Sequence, residues 1–226
     1  PIYYWDQVQL QLECCNLEEC DFWQCNIGLY KSREEFIADT DEKEPFRSKK
    51  FGFDISESTK NTLLKNNILF NEFNFLDINH PKLINFLKEE NCDYFIFTGG
   101  GILKKDILNL PIKFIHMHPG IVPHYRGSTC FYYSIINEQS AGVTAFIMDK
   151  NLDTGNVIYQ KKFEKPNHQF IDEVYDPFIR SETLMDILQR QILKESNFSQ
   201  QDPKNGETYF IIHPVLKHIA ILNCID

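Results

Sequence analysis

Short apolar runs alternate with amphipathic stretches over most of this chain. The apolar runs predict strands, and the stretches between them, with apolar positions three or four apart, predict helices. The predicted strands cover residues 68–75, 94–98, 113–117, 142–148 and 157–163. The predicted helices run from Ser56 or Ser58 through Leu64, and over residues 77–90, 104–110, 129–137 and 172–194. A short strand and a helix over residues 209–223 would complete the core.

The order of these elements predicts an α/β fold. The runs at 94–98 and 113–117 are continuously apolar rather than alternating, which is typical of strands covered on both faces. Strands separated by single helices favour a Rossmann-like, mostly parallel sheet with helices on both faces, whose ligands bind beyond the carboxyl ends of the strands.

The first part of the chain has a different character. Residues 3–15 have apolar positions near the helical period, residues 21–30 resemble a strand, and residues 31–50 are charged. Residues 1–44 hold 3 basic and 11 acidic residues, so they carry −8 of the total charge of −9. We therefore predict two domains: an acidic, cysteine-containing segment over residues 1–44, and a nearly neutral catalytic domain over residues 45–226.

Charge, cysteine usage and hydropathy exclude several classes of partner. The chain has no Lys/Arg block, which argues against broad binding to nucleic acid phosphates but not against a small anionic substrate. No apolar run is long enough to cross a bilayer, so no membrane partner is expected. Seven unevenly spaced cysteines indicate reduced thiols in a cytoplasmic protein. A zinc site is a less favoured alternative, because its spacing is atypical; its ligands would be Cys14, Cys15, Cys20 and Cys25.

The chemistry is expected near two histidines that end a predicted strand. Residues 114–127 read FIHMHPGIVPHYRG, which places His116 and His118 on one face of the strand and a Pro- and Gly-rich loop after them. Residues 149–155, DKNLDTG, place Asp153 on a tight turn between two later strands. If both segments meet at one edge of a parallel sheet, Asp153 fixes the tautomer of a histidine and strengthens it as a general base.

These two motifs resemble those of the folate-dependent formyltransferases. The shared features are His-Pro followed by Pro-x-Tyr-Arg-Gly, and Gly-Val-Thr followed by Leu-Asp-Thr-Gly, and the resemblance covers about residues 54–195. It implies transfer of a formyl group from 10-formyltetrahydrofolate to an amine, without a metal. It also implies that His118 and Asp153 are the catalytic pair and that the donor is bound by Gly100, Gly101, Ile102, Leu103 and Asp149, although Asp149 is also compatible with a capping role.

Two positions depart from the family pattern. Where the family has Asn two residues before its catalytic histidine, this chain has His116, and where it has Ser after His-Pro, this chain has Gly120. The Asn donates to the oxyanion, a contact worth roughly 3 kcal/mol in the transition state. His116 can donate as well, but its role then depends on protonation. We expect His116→Asn to keep much of the activity and His118→Ala to lose almost all of it.

The resemblance also implies a first βαβ unit that residues 1–50 do not show, so that unit is expected to be incomplete. Residues 1–30 instead resemble a fragment of YqaJ-type viral recombinase exonucleases, in which a Gln-x-Gln helix follows the catalytic motif. Gln7 and Gln9 fit that helix, but the metal-binding carboxylates of that family lie upstream of it. We predict no nuclease activity.

The sugar-modifying branch of the formyltransferases is the closer resemblance. The expected acceptor is a small primary amine, a nucleotide-linked amino sugar, with Arg126 binding the nucleotide and no nucleic acid partner. Two alternatives stay open: a formyltetrahydrofolate hydrolase or inactive binding protein, and a non-enzymatic adaptor. A homodimer is also an open alternative.

Overall fold

The computed structural model describes residues 59–75, 77–98, 101–167, 171–194, 198–202 and 204–225. The chain divides into two units, residues 1–72 and 73–226. The predictions for residues 1–50, including the 1–44 segment, the zinc alternative and the nuclease-like fragment, lie outside the described residues and stay predictions. So does the domain boundary at 44/45.

The described part of the first unit contains one helix, α1 (Thr59–Lys65). It is followed by the Asn66-Asn67 pair, and Asn67 adopts the left-handed backbone region with φ 53°, which suits asparagine better than most residues. The strand predicted over residues 68–75 is wrong, because no strand of the described residues pairs with it. An apolar run alone does not form a strand when none of the described strands pairs with it.

The second unit contains the remaining elements. In chain order they are α2 (Pro81–Glu89), β1 (Tyr94–Phe97), α3 (Lys105–Leu108), β2 (Lys113–His118), β3 (Tyr125–Gly127), α4 (Cys130–Glu138), β4 (Ser140–Ile147), β5 (Val157–Glu164), a π-helical turn (Ile171–Tyr175), α5 (Asp176–Gln189), a 3₁₀ turn (Ile192–Lys194), β6 (Glu207–Tyr209) and α6 (Pro214–Ile225). The single long helix predicted over residues 172–194 is thus divided into three helical pieces.

The central sheet confirms the α/β class but not its mostly parallel character. Its described strands have the order β1-β2-β4-β5. Strands β1 and β2 are parallel, whereas β2 and β4, and β4 and β5, are antiparallel. The prediction of a mostly parallel sheet is therefore wrong for the described strands, and the sheet is mixed.

The register of β2 with β4 shows where the chain enters β4. His118, the last residue of β2, lies opposite Thr144 in the middle of β4. The first residues of β4 therefore project beyond the carboxyl end of β2, and the chain enters β4 at the edge where it left β2. The nine-residue helix α4 does not carry the chain back across the sheet, as a parallel crossover requires. Strand β5 then follows β4 as a hairpin.

Helices cover both faces of the sheet, as predicted. One face carries Phe114, which packs with α2 and α3 in a cluster that includes Leu87 and Ile107. The other carries Ile115 and Met117, which pack with α4, α5 and α6 in a larger cluster. Because side chains alternate along a strand, His116 and His118 lie on the same face as Phe114. The two histidines are therefore directed to the side of the smaller cluster.

The pairing of β3 with β6 was not predicted. Residues 125–127 were expected to be part of an irregular loop, yet they pair in parallel with Glu207–Tyr209 in a separate two-stranded sheet. No described helix is long and apolar enough to cross a membrane. The cytoplasmic location and the oligomeric state stay predictions.

Candidate active site

A cavity of about 470 Å³ lies beside the two histidines. Its wall is built from the ends of β1 and β2, from the β1–α3 turn, from the β3–α4 connection, from the end of β4 and the β4–β5 loop, and from one side chain of α5. The lining residues are Phe97, Gly101, Ile102, Leu103, His116, His118, Pro119, Gly127, Ser128, Thr129, Phe146, Met148, Asp149, Lys150, Asn151, Leu152, Asp153 and Arg180. The cavity thus joins segments far apart in the sequence.

His118 is fixed in one tautomer by its backbone partner. The residue is 2% exposed, and its Nε2 lies 2.8 Å from the carbonyl oxygen of Tyr125. A carbonyl oxygen only accepts, so Nε2 carries the proton and donates to it. In the neutral ring, Nδ1 then has the free lone pair. It faces the Asp153 carboxylate, whose Oδ2 lies 3.6 Å away. His118 therefore offers Nδ1 to the chemistry, beside a negative charge that stabilises the protonated ring.

Gly120 explains one departure from the family pattern. A Cβ at this position would lie 2.8 Å from His118 Nε2 and 2.7 Å from the Tyr125 carbonyl oxygen, the two atoms of that hydrogen bond. Real Cβ atoms do not approach so closely, so the serine that the family carries here would displace the bond. In this chain the loop lies against the imidazole, and only glycine leaves room for that contact.

Thr144 holds the same loop from the strand side. It is fully buried in β4, where its hydroxyl donates to the Gly120 carbonyl at 2.7 Å and accepts from Val122 N at 3.1 Å. The Gly-Val-Thr motif was recognised in the sequence only as the strand leading to Asp153. The structure shows that its threonine also anchors the turn after His118.

Asp153 reaches His118 by a route that the sequence did not predict. Strand β4 ends opposite Ile115, near the start of β2, so the loop after it must return toward the end of β2. Asp153, with φ 53°, ends this return, and its Oδ2 accepts from Gly127 N at 2.7 Å. The predicted meeting of Asp153 with His118 is therefore present, but it is produced by a folded-back hairpin loop and not by a shared edge of parallel strands.

Gln201 holds this loop and had no signal in the sequence. Its side-chain amide donates to the carbonyl oxygens of Asp153 at 3.1 Å and Gly155 at 2.6 Å. Gly155 itself sits where a Cβ would overlap the Ile147 carbonyl. The segment that carries Gln201 is joined to the start of β5 by two backbone hydrogen bonds between Ser199 and Val157.

His116 is half-buried between aromatic rings. Its ring centroid lies 6.2 Å from that of Phe97 and 5.8 Å from that of Phe146, and 6.4 Å from that of His118. Its Nδ1 lies 3.2 Å from the Phe97 carbonyl oxygen. Like His118, it thus has one ring nitrogen bound to the backbone and one left for the cavity.

Burial sets the charge of both histidines. Loss of hydration lowers the pKa of His116 and of His118 below the usual 6.5, and burial outweighs the opposing effect of Asp153 on each ring. Both rings are therefore neutral near neutral pH. A neutral imidazole beside a carboxylate is a proton acceptor, which suits a general base.

The predicted donor-binding residues line one side of the cavity, except Gly100, which lies outside the described residues. Gly101, Ile102 and Leu103 form the β1–α3 turn, in which Ile102 is 84% exposed and Leu103 is buried. Asp149 also lines the cavity, and its carboxylate accepts from Asn151 N and Thr154 Oγ1. That bonding pattern is a local turn, so Asp149 also has the capping role that the sequence left open.

Asn79 fixes the β1–α3 turn from outside the cavity. It lies just before α2 but does not cap that helix, whose cap is His80 with a ring that accepts from Lys82 N. Asn79 instead donates to the Ile102 carbonyl at 2.9 Å and accepts from Lys104 N at 2.7 Å. One side-chain amide therefore holds the turn at two backbone positions, on either side of Leu103.

Arg126 is not placed as predicted. It is 6% exposed on β3, donates to the Gly206 carbonyl and does not line the cavity, so its position does not support the predicted binding of a nucleotide there. The arginine that lines the cavity is Arg180 of α5. It makes two hydrogen bonds of 2.7 Å to the Asp176 carboxylate and donates to the Met117 carbonyl. The i,i+4 spacing of Asp176 and Arg180 predicts the pair but not its location.

Relatives with established names match a part of this chain. It is 34% identical over 142 residues to the methionyl-tRNA formyltransferase of Clostridium beijerinckii, covering 61% of this chain and 45% of the relative. It is 30% identical over 148 residues to that of Caldanaerobacter subterraneus subsp. tengcongensis, covering 62% and 47%. The chain therefore spans about half the length of the curated relatives it matches.

A solved structure shares the fold over most of its length. The X-ray structure of a sugar N-formyltransferase from a Shewanella species superposes with a TM-score of 0.51 at 19% identity, covering 86% of this chain and 85% of that one. At this identity the likeness concerns the fold. The family model described as formyl transferase matches residues 48–185, which is more than half of the chain. With this match over the segment that builds the histidine cavity, the chain belongs to the formyl transferase family.

Proposed function

We propose that this protein transfers a formyl group from 10-formyltetrahydrofolate to a primary amine. The observation that carries the proposal is the meeting of His118, Asp153 and His116 in one cavity of a formyl transferase family member. These residues come from β2 and from a loop more than 30 positions later, and no structural need of the core requires two neutral histidines beside a carboxylate.

His118 is the general acid and base of the proposed reaction. Its Nε2–H is held by the Tyr125 carbonyl, so Nδ1 takes the proton that the amine nitrogen loses on forming the new bond. Asp153 stabilises the imidazolium that results, and the same Nδ1–H then protonates the folate nitrogen that leaves. Asp153 Oδ2 lies 3.6 Å from Nδ1, a separation at which its negative charge attracts the ring once Nδ1 is protonated.

The donor binds on the side formed by the β1–α3 turn and Asp149. Phe97, Ile102 and Leu103 give that side an apolar lining that suits a flat ring system, and Phe146 and Met148 extend it. Because the turn is fixed by Asn79, its backbone is held in place before the donor arrives. Holding the amine and the formyl carbon together removes several kcal/mol, roughly 7 or more, from the barrier.

The acceptor we favour is a nucleotide-linked amino sugar. The support is the near-neutral charge of residues 45–226, since a surface for tRNA normally carries an excess of basic groups. Methionyl-tRNA is the second candidate, because the sequence relatives named above are methionyl-tRNA formyltransferases.

Detection of the product by mass spectrometry tests the proposal. The purified chain is incubated with 10-formyltetrahydrofolate and either a nucleoside-diphosphate 4-amino-4-deoxyhexose or methionyl-tRNA. A gain of one CO on the sugar supports the favoured acceptor, and a gain on the methionyl group alone selects the second. Release of formate with no formylated amine would contradict transfer and indicate a hydrolase.

A further inference from the structure

The hydrogen bond of His116 to the backbone determines what this ring can do in the cavity. Nδ1 lies 3.2 Å from the Phe97 carbonyl oxygen, which only accepts, so Nδ1 carries the proton. The second nitrogen of the neutral ring, Nε2, then has a lone pair and no hydrogen. The asparagine that the family carries here always offers N–H donors, whereas this neutral histidine offers none. His116 therefore does not donate to an oxyanion until it has gained a proton.

The surroundings keep the ring in this neutral form before reaction. Phe97 and Phe146 flank it, and burial is the largest cause of its lowered pKa. The charged and titratable groups that face it come from three elements: Arg180 and Asp176 of α5, Asp153 of the β4–β5 loop, and His118 of β2. Arg180 opposes a charge on His116, and the two carboxylates favour one. Both rings hydrogen-bond to a backbone oxygen, but His118 in addition has a carboxylate oxygen 3.6 Å from its second nitrogen.

We propose, on the basis of the function proposed above, that His116 is a catalytic residue that first accepts a proton from the incoming amine and then uses that proton to donate a hydrogen bond to the oxyanion. The substitution of histidine for asparagine thus adds proton transfer to a position that otherwise only donates a hydrogen bond. His116 acts first as a proton acceptor and then as a hydrogen-bond donor. The proton that Nε2 gains from the amine forms the hydrogen bond when negative charge develops on the formyl oxygen.

The steps balance as follows. The acceptor enters as an ammonium ion, and His116 Nε2 takes one proton, leaving a neutral amine and an imidazolium. The amine lone pair forms a bond to the formyl carbon, and the C=O π electrons move to oxygen, which receives the hydrogen bond of Nε2–H. His118 Nδ1 removes a proton from the bonded nitrogen. The oxyanion electron pair then re-forms the C=O bond, the carbon–nitrogen bond of the donor breaks, and His118 gives its proton to the folate nitrogen that leaves. His116 finally releases its proton to solvent, so formamide, tetrahydrofolate and one proton are formed.

This sequence of steps predicts a pH dependence that an asparagine enzyme does not have. With His116, the ammonium form of the substrate reacts, so kcat/KM stays level between the pKa of His116 and that of the amine. With asparagine, only the neutral amine reacts, and its share falls roughly tenfold for each pH unit below the pKa of the amine. His116→Asn should therefore approach the wild-type rate at high pH and fall progressively behind it as the pH is lowered.

Two measurements on the full chain test the proposal. Nitrogen-15 NMR of the histidine rings reports which nitrogen of His116 is protonated, with the signal assigned by its loss in His116→Asn. The pH profile of kcat/KM is then recorded with 10-formyltetrahydrofolate and a nucleoside-diphosphate 4-amino-4-deoxyhexose. It is compared among wild type, His116→Asn and His124→Asn, an exposed histidine outside the cavity that serves as the matched control.

The expected result is an unprotonated Nε2 in the wild type near neutral pH, a level profile for wild type and for His124→Asn, and a slope near one in log units for His116→Asn. A protonated Nε2, or the same profile for His116→Asn and wild type, would overturn the inference while formyl transfer itself is observed. A wild-type chain that formylates neither the sugar nor methionyl-tRNA would overturn the proposed function, and this inference with it.

Discussion

Replacing Gln201 should show how much the position of Asp153 matters for catalysis, apart from any effect on the stability of the fold. Its amide nitrogen donates to the Asp153 and Gly155 carbonyls at 3.1 and 2.6 Å, and it comes two residues after the backbone pair of Ser199 with Val157. In Gln201→Ala both carbonyls lose their side-chain partner, while the bond from Gly127 N to the Asp153 carboxylate remains. Of these three hydrogen bonds to Asp153 and Gly155, one then remains.

The magnitudes follow from these contacts. Two hydrogen bonds of about 1 kcal/mol each, discounted for partial exposure, give a loss of about 1–2 kcal/mol in the free energy of unfolding. A displacement of the carboxylate by about 1 Å weakens its support of His118 and should lower kcat by about 10- to 100-fold. The KM for the formyl donor should change less than kcat, because the β1–α3 turn, which forms part of the donor side, is held by Asn79 and not by Gln201.

Urea unfolding and steady-state formyl transfer measure the two effects. Gln200→Ala is the matched control, since Gln200 is the exposed neighbour in the same segment. The Gln201 variant should lose kcat at a temperature where it is fully folded, and the control should keep it. An unchanged kcat together with the expected loss of stability would refute the reasoning, because the Gly127 bond alone would then suffice to position Asp153.

Three further predictions concern the loops and the histidines. Gly120→Ala should lower kcat about 10-fold or more and destabilise the fold by about 1–3 kcal/mol, because the new Cβ would contact both atoms of the His118–Tyr125 hydrogen bond. A wild-type kcat would contradict this and show that the loop moves aside without cost. Asn79→Ala should raise the KM for 10-formyltetrahydrofolate more than it lowers kcat, and Asn66→Ala is a control on α1; an unchanged KM would contradict a role of the β1–α3 turn in donor binding. Acid should destabilise the protein, because the pKa values of His116 and His118 in the folded state lie below the unfolded value of about 6.5. The unfolded state therefore gains protons first as the pH falls. Stability is lost as the pH falls through about 6.5 toward the pKa values of the folded state. Urea unfolding at several pH values checks this, and a smaller loss in His118→Asn than in wild type is expected; equal losses would argue that carboxylates cause the effect.

Local patterns were sufficient to predict most elements of the fold. The strands at 94–97, 113–118, 140–147 and 157–164 lie within a few residues of the expected ones, because each is an apolar run bounded by turn residues. The direction of β4 was not predictable in this way. An antiparallel return and a parallel crossover can both contain a helix between the two strands, and here the register of His118 against Thr144 distinguishes them.

The residues of the candidate site that lie in sequence motifs could be predicted. The residues that contribute through a single side-chain contact could not. His116, His118 and Asp153 stand in motifs with recognisable spacing, and they meet in one cavity. Gln201 and Asn79 act through side-chain bonds to distant backbone atoms, which leave no periodic or motif signal. Arg126 was predicted to bind the nucleotide because it lies within a motif. Its burial on β3 follows from the pairing of β3 with β6, and strands of three residues are too short to be predicted from the sequence pattern.

The central claim is that the cavity of His118 and Asp153 transfers formyl to an amine. The most direct test uses 10-formyltetrahydrofolate labelled with carbon-13 in the formyl group, and follows the label in wild type and in His118→Asn, with folding of the variant checked by thermal unfolding. The account predicts labelled formamide product with wild type and almost none with the folded variant. Label recovered only as formate, or equal labelled product from both proteins, would contradict it.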